Sequence, residues 1–299
     1  DWLTVDHDSN HDGFLDMPEK KQYNLMNRWQ YKTDKWNLQF GGKFLDEKRL
    51  GGQKGFKRSM RGEYGVDKLY GIGIDSRRYE GFLKLGYLMP QYENTSMAWI
   101  VNYTDHNQDS YYGARDYQAR QQTVFANYIF QSIFGNNENQ KYSAGVTFNF
   151  DRFDESFNDF DILALKPTKR ADFVRSERVI GAFFQYTGAF WEKLTVMAGL
   201  RYDYHNLFGG FVTPRLHLAY APDDFTMLKF SAGHGARTAN ILADNSYLLA
   251  STNSVYVNNK LLVEHPEELD RLDMEQAWNF GVQLNRKFIL FGRMLNINL

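Results

Sequence analysis

The stretch KLTVMAGLRYDYHN, Lys193–Asn206, alternates between apolar and polar side chains. Apolar and aromatic side chains occupy one set of alternate positions, which are Leu194, Val196, Ala198, Leu200, Tyr202 and Tyr204. The positions between them include Thr195, Gly199, Arg201, Asp203 and His205. Because successive side chains of a β-strand point to opposite faces, this repeat predicts a strand with one apolar and one polar face.

The same alternation recurs along the chain. Clear examples begin at Tyr23, Trp36, Tyr142 and Trp278. Weaker examples lie near 76–89, 95–105, 118–133, 178–190, 213–221, 225–235 and 290–299. The pattern predicts an all-β fold of about 12 strands, many of them near the ~10 residues that a membrane-spanning strand needs.

The predicted connections alternate between short and long. Short turns lie at 32–35, 89–94, 135–140, 191–193, 221–225 and 285–288. Longer links lie at about 50–74, 105–117, 151–176 and 237–272, with one shorter link at 206–212. Outer-membrane barrels alternate short periplasmic turns with long external loops, whereas a soluble sandwich has no reason to keep its long loops at one end. We therefore predict an antiparallel transmembrane β-barrel, or a partial barrel from a larger one, as a single domain over residues 1–299.

The composition is consistent with this class. A net charge of −1 gives no argument for nucleic acid as a partner, and the lack of cysteine excludes disulfides and thiol chemistry. Mean hydropathy is −0.56, although 16% of the residues are aromatic. A membrane barrel combines these features because only alternate residues face lipid. No nucleophile elbow, phosphate loop or zinc-protease motif occurs, so we do not expect an enzyme.

The segment DSNHDGFLDMPE, Asp8–Glu19, has the ligand order of a calcium-binding loop on the long-loop side. The candidate ligands are Asp8, Asn10, Asp12, Asp16, Glu19 and the carbonyl of Phe14, with Asp6 in a second register. Gly13 occupies the sharp-turn position, and this spacing supplies the hard oxygens that calcium prefers. We predict calcium as the cofactor; the alternative is a solvated acidic turn that binds no metal.

Polar positions near the predicted outer strand ends are candidates for ligand contact. Those expected to point inward are Arg201, Asp203, His205, Arg215, His217, His234 and Arg237. They suit an anionic or metal-chelated ligand, or they pair with one another. Aromatic candidates on the predicted external loops are Tyr111, Tyr112, Tyr117, Tyr247 and Tyr256. A basic run in the first long loop, Lys54, Lys57, Arg58 and Arg61, either faces lipopolysaccharide phosphates or stays solvated.

Three segments resemble TonB-dependent outer-membrane receptors. They are Arg237-Thr238-Ala239-Asn240 with the strand before it, GLRYDYHN (Gly199–Asn206), and DGFLDMPEKKQYNLMNRW (Asp12–Trp29), the last resembling members with acidic calcium loops such as cobalamin receptors. The resemblance implies a Gram-negative outer-membrane location in contact with lipid. It also implies import of a scarce large nutrient, such as an iron chelate, haem or cobalamin, with energy from the TonB complex acting through a plug domain.

The sequence departs from a complete receptor of that family. We find no plug domain and no TonB-box, and the chain stops at Leu299 without the terminal aromatic residue, so we expect it to stop inside a strand. A complete receptor closes about 22 strands. We therefore expect a barrel segment. The alternatives are a calcium-dependent β-sandwich adhesin or carbohydrate-binding module, and an outer-membrane enzyme on a small barrel.

Overall fold

A computed structural model of the chain describes residues 2–3, 7–65, 67–92, 94–161, 166–168, 170–251 and 253–298. Its main element is a thirteen-stranded antiparallel sheet. A two-residue strand, Trp2–Leu3, forms one edge. The longer strands that follow are β1 Glu19–Lys32, β2 Trp36–Gly52, β3 Gly71–Leu88, β4 Ser96–Tyr112, β5 Arg115–Phe134, β6 Asn137–Asn158, β7 Ala171–Phe190, β8 Leu194–His205, β9 Gly209–Asp223, β10 Thr226–Arg237, β11 Glu275–Leu290 and β12 Arg293–Asn298. The prediction of about 12 strands is confirmed.

Each of these strands pairs with its neighbours along the chain, so the topology is up-and-down. The sheet is open, with Trp2–Leu3 at one edge and β12 at the other. Small elements lie in the connections: helix α1 Ile241–Asp244, the 3₁₀ turns Arg58–Met60, Ser246–Ala250 and Pro266–Arg271, and two short hairpins, Phe160–Asp161 with Lys166–Pro167 and Tyr256–Val257 with Lys260–Leu261. Among the described residues, no helix is long and apolar enough to cross a membrane.

The register between strands places the apolar positions together, because cross-strand partners share a face of the sheet. Val196 lies opposite Leu218, and Leu218 lies opposite Phe230. Phe230 in turn lies opposite Val282. We call the side that carries these four residues the apolar face, and the opposite side, which carries Arg201, the polar face.

The apolar face is exposed. Leu200 is 57% exposed, Phe280 70% and Val282 77%. A β-sandwich would bury such side chains against a second sheet. A band of exposed apolar residues of this extent is typical of a surface that contacts membrane or a partner. The β-sandwich alternative is therefore not favoured.

The two ends of the sheet differ, as predicted. One end carries the connections 33–35, 89–95, 135–136, 191–193, 224–225 and 291–292, and the other carries the long connections 53–70, 159–170 and 238–274. Two predicted long links are wrong, because β4 and β5 continue through 105–117 and β6 and β7 fill much of 151–176. The predicted short turn at 285–288 is wrong as well, because these residues lie within β11 and the chain turns at 291–292. Backbone pairing continues above the apolar band, where both faces are polar and the alternation disappears. Gly113, at a φ of +63°, permits the tight turn that joins β4 and β5.

The buried core lies where the connection 238–274 packs on the polar face of β4–β7. This connection contributes Leu242, Leu249, Val257, Leu262 and Val263, and the strands contribute Tyr112, Tyr117, Phe157 and Ala171. Arg115 fixes the connection further by donating to the carbonyls of Leu249 and Ser251 at 3.2 and 2.5 Å. Arg115 also pairs with Asp159, and the two side chains are almost fully buried. The connection is thus a folded layer over one end of the sheet.

Candidate ligand site

The strand β8 presents Arg201 and Asp203 side by side on the polar face. Nε and Nη2 of Arg201 donate to Oδ2 and Oδ1 of Asp203 at 2.6 and 2.5 Å. Nη2 also donates to Oγ1 of Thr147 at 2.6 Å. Asp203 is buried, whereas about a third of the Arg201 side chain, 35%, is exposed. Arg201 and Asp203 therefore pair with each other, which was the alternative to ligand contact. Part of the Arg201 side chain stays exposed on the polar face.

Gly181 of β7 makes room for this pair. It lies opposite Asp203 on one side and opposite Thr147 on the other. A Cβ atom at position 181 would overlap Oδ1 of Asp203 and approach Nη2 of Arg201 at 2.7 Å. The ion pair therefore occupies the space that a side chain at position 181 would fill.

His205 belongs to a second, adjoining group on the polar face. It is 3% exposed, and its Nδ1 accepts from the backbone N–H of Leu207 at 3.1 Å. Its Nε2 lies 3.5 Å from Oε2 of Glu177, which is also buried. Oε1 of Glu177 lies 2.7 Å from Nε of Arg175. Arg175, Glu177 and His205 thus form a cluster of one guanidinium, one carboxylate and one imidazole, in which Glu177 and His205 are buried.

The Arg-Thr-Ala-Asn stretch at the start of the connection 238–274 is attached to this cluster. Thr238 donates to Oε2 of Glu177 at 3.0 Å. Arg175 donates to the carbonyl of Ala239 at 3.2 Å and to the side-chain oxygen of Asn240. The cluster thereby joins the wall of the sheet to the folded connection above it.

Arg237 lies at the end of β10, beside that stretch. It pairs with Glu275 at 2.6 Å and with Asp244 at 3.2 Å. The hydrogen bond that Arg237 donates to Glu275 and the charge of Asp244 raise the pKa of Arg237. Arg237 is therefore engaged at the base of the connection 238–274.

His234 does not point to the polar face, and that expectation is wrong. It lies opposite Trp278 on the apolar face, with ring centroids 5.0 Å apart. The reason is the register of β10, in which Phe230 faces the apolar side and His234 follows at an even spacing. Gly233 and Gly235 flank His234, and glycines give no indication of which face is polar.

Three of the five aromatic candidates do not lie on loops. Tyr111 and Tyr112 end β4, Tyr117 lies in β5, and they are 3%, 5% and 1% exposed. Their rings are buried by the connections 53–70 and 238–274. Tyr247 and Tyr256 lie on the connection 238–274 as expected, and they are 70% and 63% exposed. Tyr247 and Tyr256 therefore remain available to contact a ligand.

A buried acid lies between the cluster and the folded connection. Tyr117 donates its hydroxyl to Oε1 of Glu155 at 2.5 Å. Burial raises the pKa of Glu155, against the opposing effects of this hydrogen bond and the charge of Arg175. Burial and the Glu155 charge also raise the pKa of Tyr117. Alternate positions on β6 and β7 carry Glu155, Arg175 and Glu177. Glu155 and Arg175 lie in the predicted long link 151–176, and Glu177 lies just outside the predicted strand 178–190, so the sequence pattern does not single them out.

The acidic segment at the start of the chain forms a closed loop. Asp8 accepts from the backbone N–H of Gly13 at 3.3 Å, and Asp12 accepts from that of Phe14 at 2.8 Å. Asp16 accepts from the backbone N–H of Ser9 at 2.8 Å, and hydrogen bonds from Ser9 lower the pKa of Asp16. These hydrogen bonds between side chains and backbone close the segment into a loop.

The other predicted calcium ligands are less well placed. Glu19 begins β1 opposite Leu50, and Asp6 lies outside the described residues. In the described part of the chain, no group of three or more His, Cys, Asp or Glu side chains is arranged to hold a metal ion. Calcium also takes carbonyl and amide oxygens as ligands, and Phe14 and Asn10 supply one of each. Calcium binding therefore stays a prediction.

The fold and the site define the class of protein. An up-and-down antiparallel sheet with an apolar band on one face, a polar opposite face and its long connections at one end is the wall of a membrane β-barrel. The chain belongs to the TonB-dependent receptor-like β-barrel family, whose model matches residues 8–299. The resemblance of this chain to TonB-dependent receptors is thereby confirmed.

Solved structures agree on the fold. FpvA of Pseudomonas aeruginosa bound to a heterologous pyoverdine matches with a TM-score of 0.64 and 12% identity, over 94% of this chain and 41% of that one. The alcaligin receptor FauA of Bordetella pertussis matches with a TM-score of 0.58 and 11% identity, over 95% of this chain and 43% of that one. The ferric-catecholate import receptor Fiu of Escherichia coli K12 matches with a TM-score of 0.58 and 9% identity, over 96% of this chain and 51% of that one. This chain therefore spans about half or less of each, and comparison with curated protein sequences gives no match.

Proposed function

We propose that this chain forms part of the wall and outer connections of a TonB-dependent receptor in the Gram-negative outer membrane. The receptor imports a scarce, large nutrient, an iron chelate, haem or cobalamin, with energy from the TonB complex acting through a plug domain. Membership of the family supports the location and the class of transport. The apolar face supports contact with outer-membrane lipid, since such a band suits the hydrocarbon core.

The observation that carries the proposal is the pair of arginines, Arg201 and Arg215, on the polar face below the folded connection. Arg201 keeps a partly exposed guanidinium, and Arg215 lies on the next strand in the same lining of a small pocket. Guanidinium groups make strong, directional hydrogen bonds to carboxylates and other anionic oxygens. An anionic iron chelate is therefore the cargo that fits this lining best.

The exposed aromatic side chains of the connection 238–274 supply a second contact. Tyr247 and Tyr256 project from a connection that Arg115 and the buried core hold in place. Rigid aromatic residues bind large ligands at a low entropic cost. We infer that they capture the cargo first and that the polar face receives it afterwards.

The test is uptake of labelled iron chelates by cells that carry the full-length receptor. Arg201→Ala should reduce TonB-dependent uptake about tenfold or more, because a charge-assisted contact is lost. Lys229→Ala is the matched control, since Lys229 lies on the polar face of β10 near the short-turn end, and its uptake should equal that of the wild type. Uptake that does not depend on TonB, or that Arg201→Ala leaves unchanged, would contradict the proposal.

We also propose that calcium binds the loop at Asp8–Glu19. The support is the ligand order of the segment, together with Oδ1 of Asp8, which is shielded from solvent and lacks a hydrogen-bond partner within the described residues. An affinity of about 10⁻⁴–10⁻³ M is sufficient outside the cell.

Calorimetric titration of the receptor with calcium tests this proposal, with Asp12→Ala beside the wild type. We expect heat from the wild type and none from the variant, since Asp12 occupies a central ligand position. Asp34→Ala, in the short turn 33–35, is the control and should behave as the wild type. Equal heats from wild type and Asp12→Ala, or no heat from either, would leave a plain acidic turn.

A further inference from the structure

The strands β9 and β10 separate at their outer ends. The last pair of their ladder joins Arg215 to Gly233. No pair follows between Gly209–Pro214 of β9 and His234–Arg237 of β10, all of which the structure describes. Each segment still pairs with its other neighbour, the first with β8 and the second with β11. We call the opening between these two segments the split, and its rims are regular strands rather than frayed ends.

Pro214 accounts for the place where the split begins. The N–H of Ala221 donates to the carbonyl of Lys193, just before β8, at 2.8 Å. Bonded and non-bonded pairs alternate along an antiparallel ladder, so odd positions of β9 bond to β8 and even positions direct their backbone groups to β10. Proline has no N–H, so position 214 cannot donate to β10. The ladder ends where this donor is missing.

The split lies at the outer edge of the apolar band. Its lower end, Pro214, lies opposite Leu200 of the band. Further out, Tyr202 lies opposite Val212 and is 53% exposed. Tyrosine side chains mark the membrane–water boundary of barrels. The split therefore runs from the end of the hydrocarbon into the head-group region, where open backbone groups find the polar partners that hydrocarbon lacks.

On the polar face, the split adjoins the arginine lining. A cavity of about 260 Å³ is lined by Arg201 and Arg215, and it reaches Pro214 and His234 at the lower end of the split. Ordinary ligand pockets measure about 300–1,000 Å³, so this cavity is too small to enclose a large iron chelate. It accommodates one anionic group of such a ligand beside the split.

On the apolar face, the split adjoins exposed apolar side chains. Leu200 lies level with its lower end, and Trp278 lies opposite His234 on its rim. Trp278 and Phe280 stack, with ring planes 11° apart and ring centroids 6.1 Å apart. An alkyl chain in the outer leaflet covers such a surface favourably, because apolar area is removed from water. The split thus connects a cationic lining on one face with an apolar surface on the other.

We propose that the split is a lateral portal and that the cargo is an acylated iron chelate, taken up with its chain in the outer leaflet. The anionic head lies on Arg201 and Arg215 inside the barrel. The acyl chain passes through the split into lipid beside Leu200 and Trp278. Charge on one side and apolar surface on the other commit the split to an amphiphile, since such a molecule matches both. The inference rests on the proposed function and specifies the chemical class of its cargo.

The test compares TonB-dependent uptake of one carboxylate-bearing ferric chelate, with and without an acyl chain, by cells that carry the full-length receptor. Gly235→Phe adds a ring at the rim of the split, where no described atom lies within 4 Å of an added Cβ. Uptake of the acylated form should fall about tenfold or more, because the ring occupies the space of the chain. Uptake of the form without a chain should stay unchanged.

Pro214→Val is a second variant, because it supplies the missing N–H and allows β9 to pair further with β10. It should have the same selective effect. The matched control is Gly81→Phe of β3, where again no described atom lies within 4 Å of an added Cβ. Gly81 lies two residues from Leu83 on the apolar face, away from the split, so both forms should enter as in the wild type.

A measurement without transport uses the full-length receptor in liposomes and an acylated chelate with a diazirine at the end of its chain. We expect photolabel on lipid-facing residues of β8 or β11. Label on polar-face residues alone, equal loss of both forms in Gly235→Phe, or no selective loss in either variant would overturn the portal. So would a Val212 amide protected from hydrogen exchange without chelate, since a peptide strand would then fill the split.

The portal and the proposed function fail separately. Wild-type uptake of the form without a chain alone would overturn the portal and leave the proposed import of iron chelates standing. Lipid-side labelling by a receptor that imports neither form would refute the proposed import and leave the portal standing.

Discussion

Gly181 of β7 leaves room on the polar face for side chains from the neighbouring strands β6 and β8. Its missing side chain leaves the space in which Arg201 and Asp203 pair. Gly181→Ala should therefore displace the pair and destabilise the receptor by about 1–3 kcal/mol, as overpacking does. Thermal unfolding in detergent measures the change.

The matched control is Gly199→Ala on the adjacent strand, where the nearest atom to an added Cβ is the Phe184 carbonyl oxygen at 3.7 Å. This contact is of ordinary length, so the control should be nearly neutral. If the two variants were equally stable, the pair would not depend on Gly181.

Sequence alternation predicts the face of a residue only where the alternation is clear. It places Arg201, Asp203 and His205 on one face, as the structure does. It does not give the partners of those residues, because Arg175 and Glu177 become neighbours of His205 only through the register between β7 and β8. It also fails at His234, where small residues hide the repeat. Residue-scale prediction is therefore limited by long-range pairing.

At the scale of elements, the connection 53–70 is held on the apolar face by charge. Both terminal nitrogens of Arg61 donate to Asp109, at 2.8 and 2.9 Å, and the guanidinium lies 4.9 Å from the Tyr111 ring centroid. The hydrogen bonds from Arg61 lower the pKa of Asp109. A carboxyl whose pKa is lowered on folding stabilises the folded state above its unfolded pKa of about 3.9, and this contribution is lost as the pH falls through the folded value.

Hydrogen–deuterium exchange should therefore show constant protection of the connection 53–70 from pH 7 to about pH 4, and loss of protection below that. Arg61→Ala should lack both the protection and the acid step. Protection that falls between pH 7 and pH 5, or an acid step of the same size in Arg61→Ala, would contradict this role for the ion pair.

Strand existence was predictable from the sequence, and strand length was not. Inside the membrane, lipid imposes one apolar face on each strand, and this gives the repeat of two. Above the band, β4 and β5 remain paired up to Tyr112 and Arg115 with polar side chains on both faces. Backbone hydrogen bonding continues there without a signal in the side chains, so the alternation does not reveal these strand ends.

At the scale of the whole molecule, the opposite character of the two faces accounts for the parts of the structure. The apolar face carries the exposed band, and the polar face carries the charged cluster and the folded connection. The chain contains no cysteine, so single cysteines are readily introduced along β8. The central claim is that this strand crosses a bilayer with one face in lipid.

Spin labels placed singly at positions 194 to 203 of the full-length receptor in liposomes test that claim most directly. Dissolved oxygen concentrates in lipid, and a water-soluble nickel complex stays outside it. We predict oxygen collision maxima at 194, 196, 198, 200 and 202, with minima at the positions between them, because lipid-facing and interior residues alternate along barrel strands. Low access of both reagents at the apolar positions, as inside a sandwich, or no period of two, would contradict the membrane barrel.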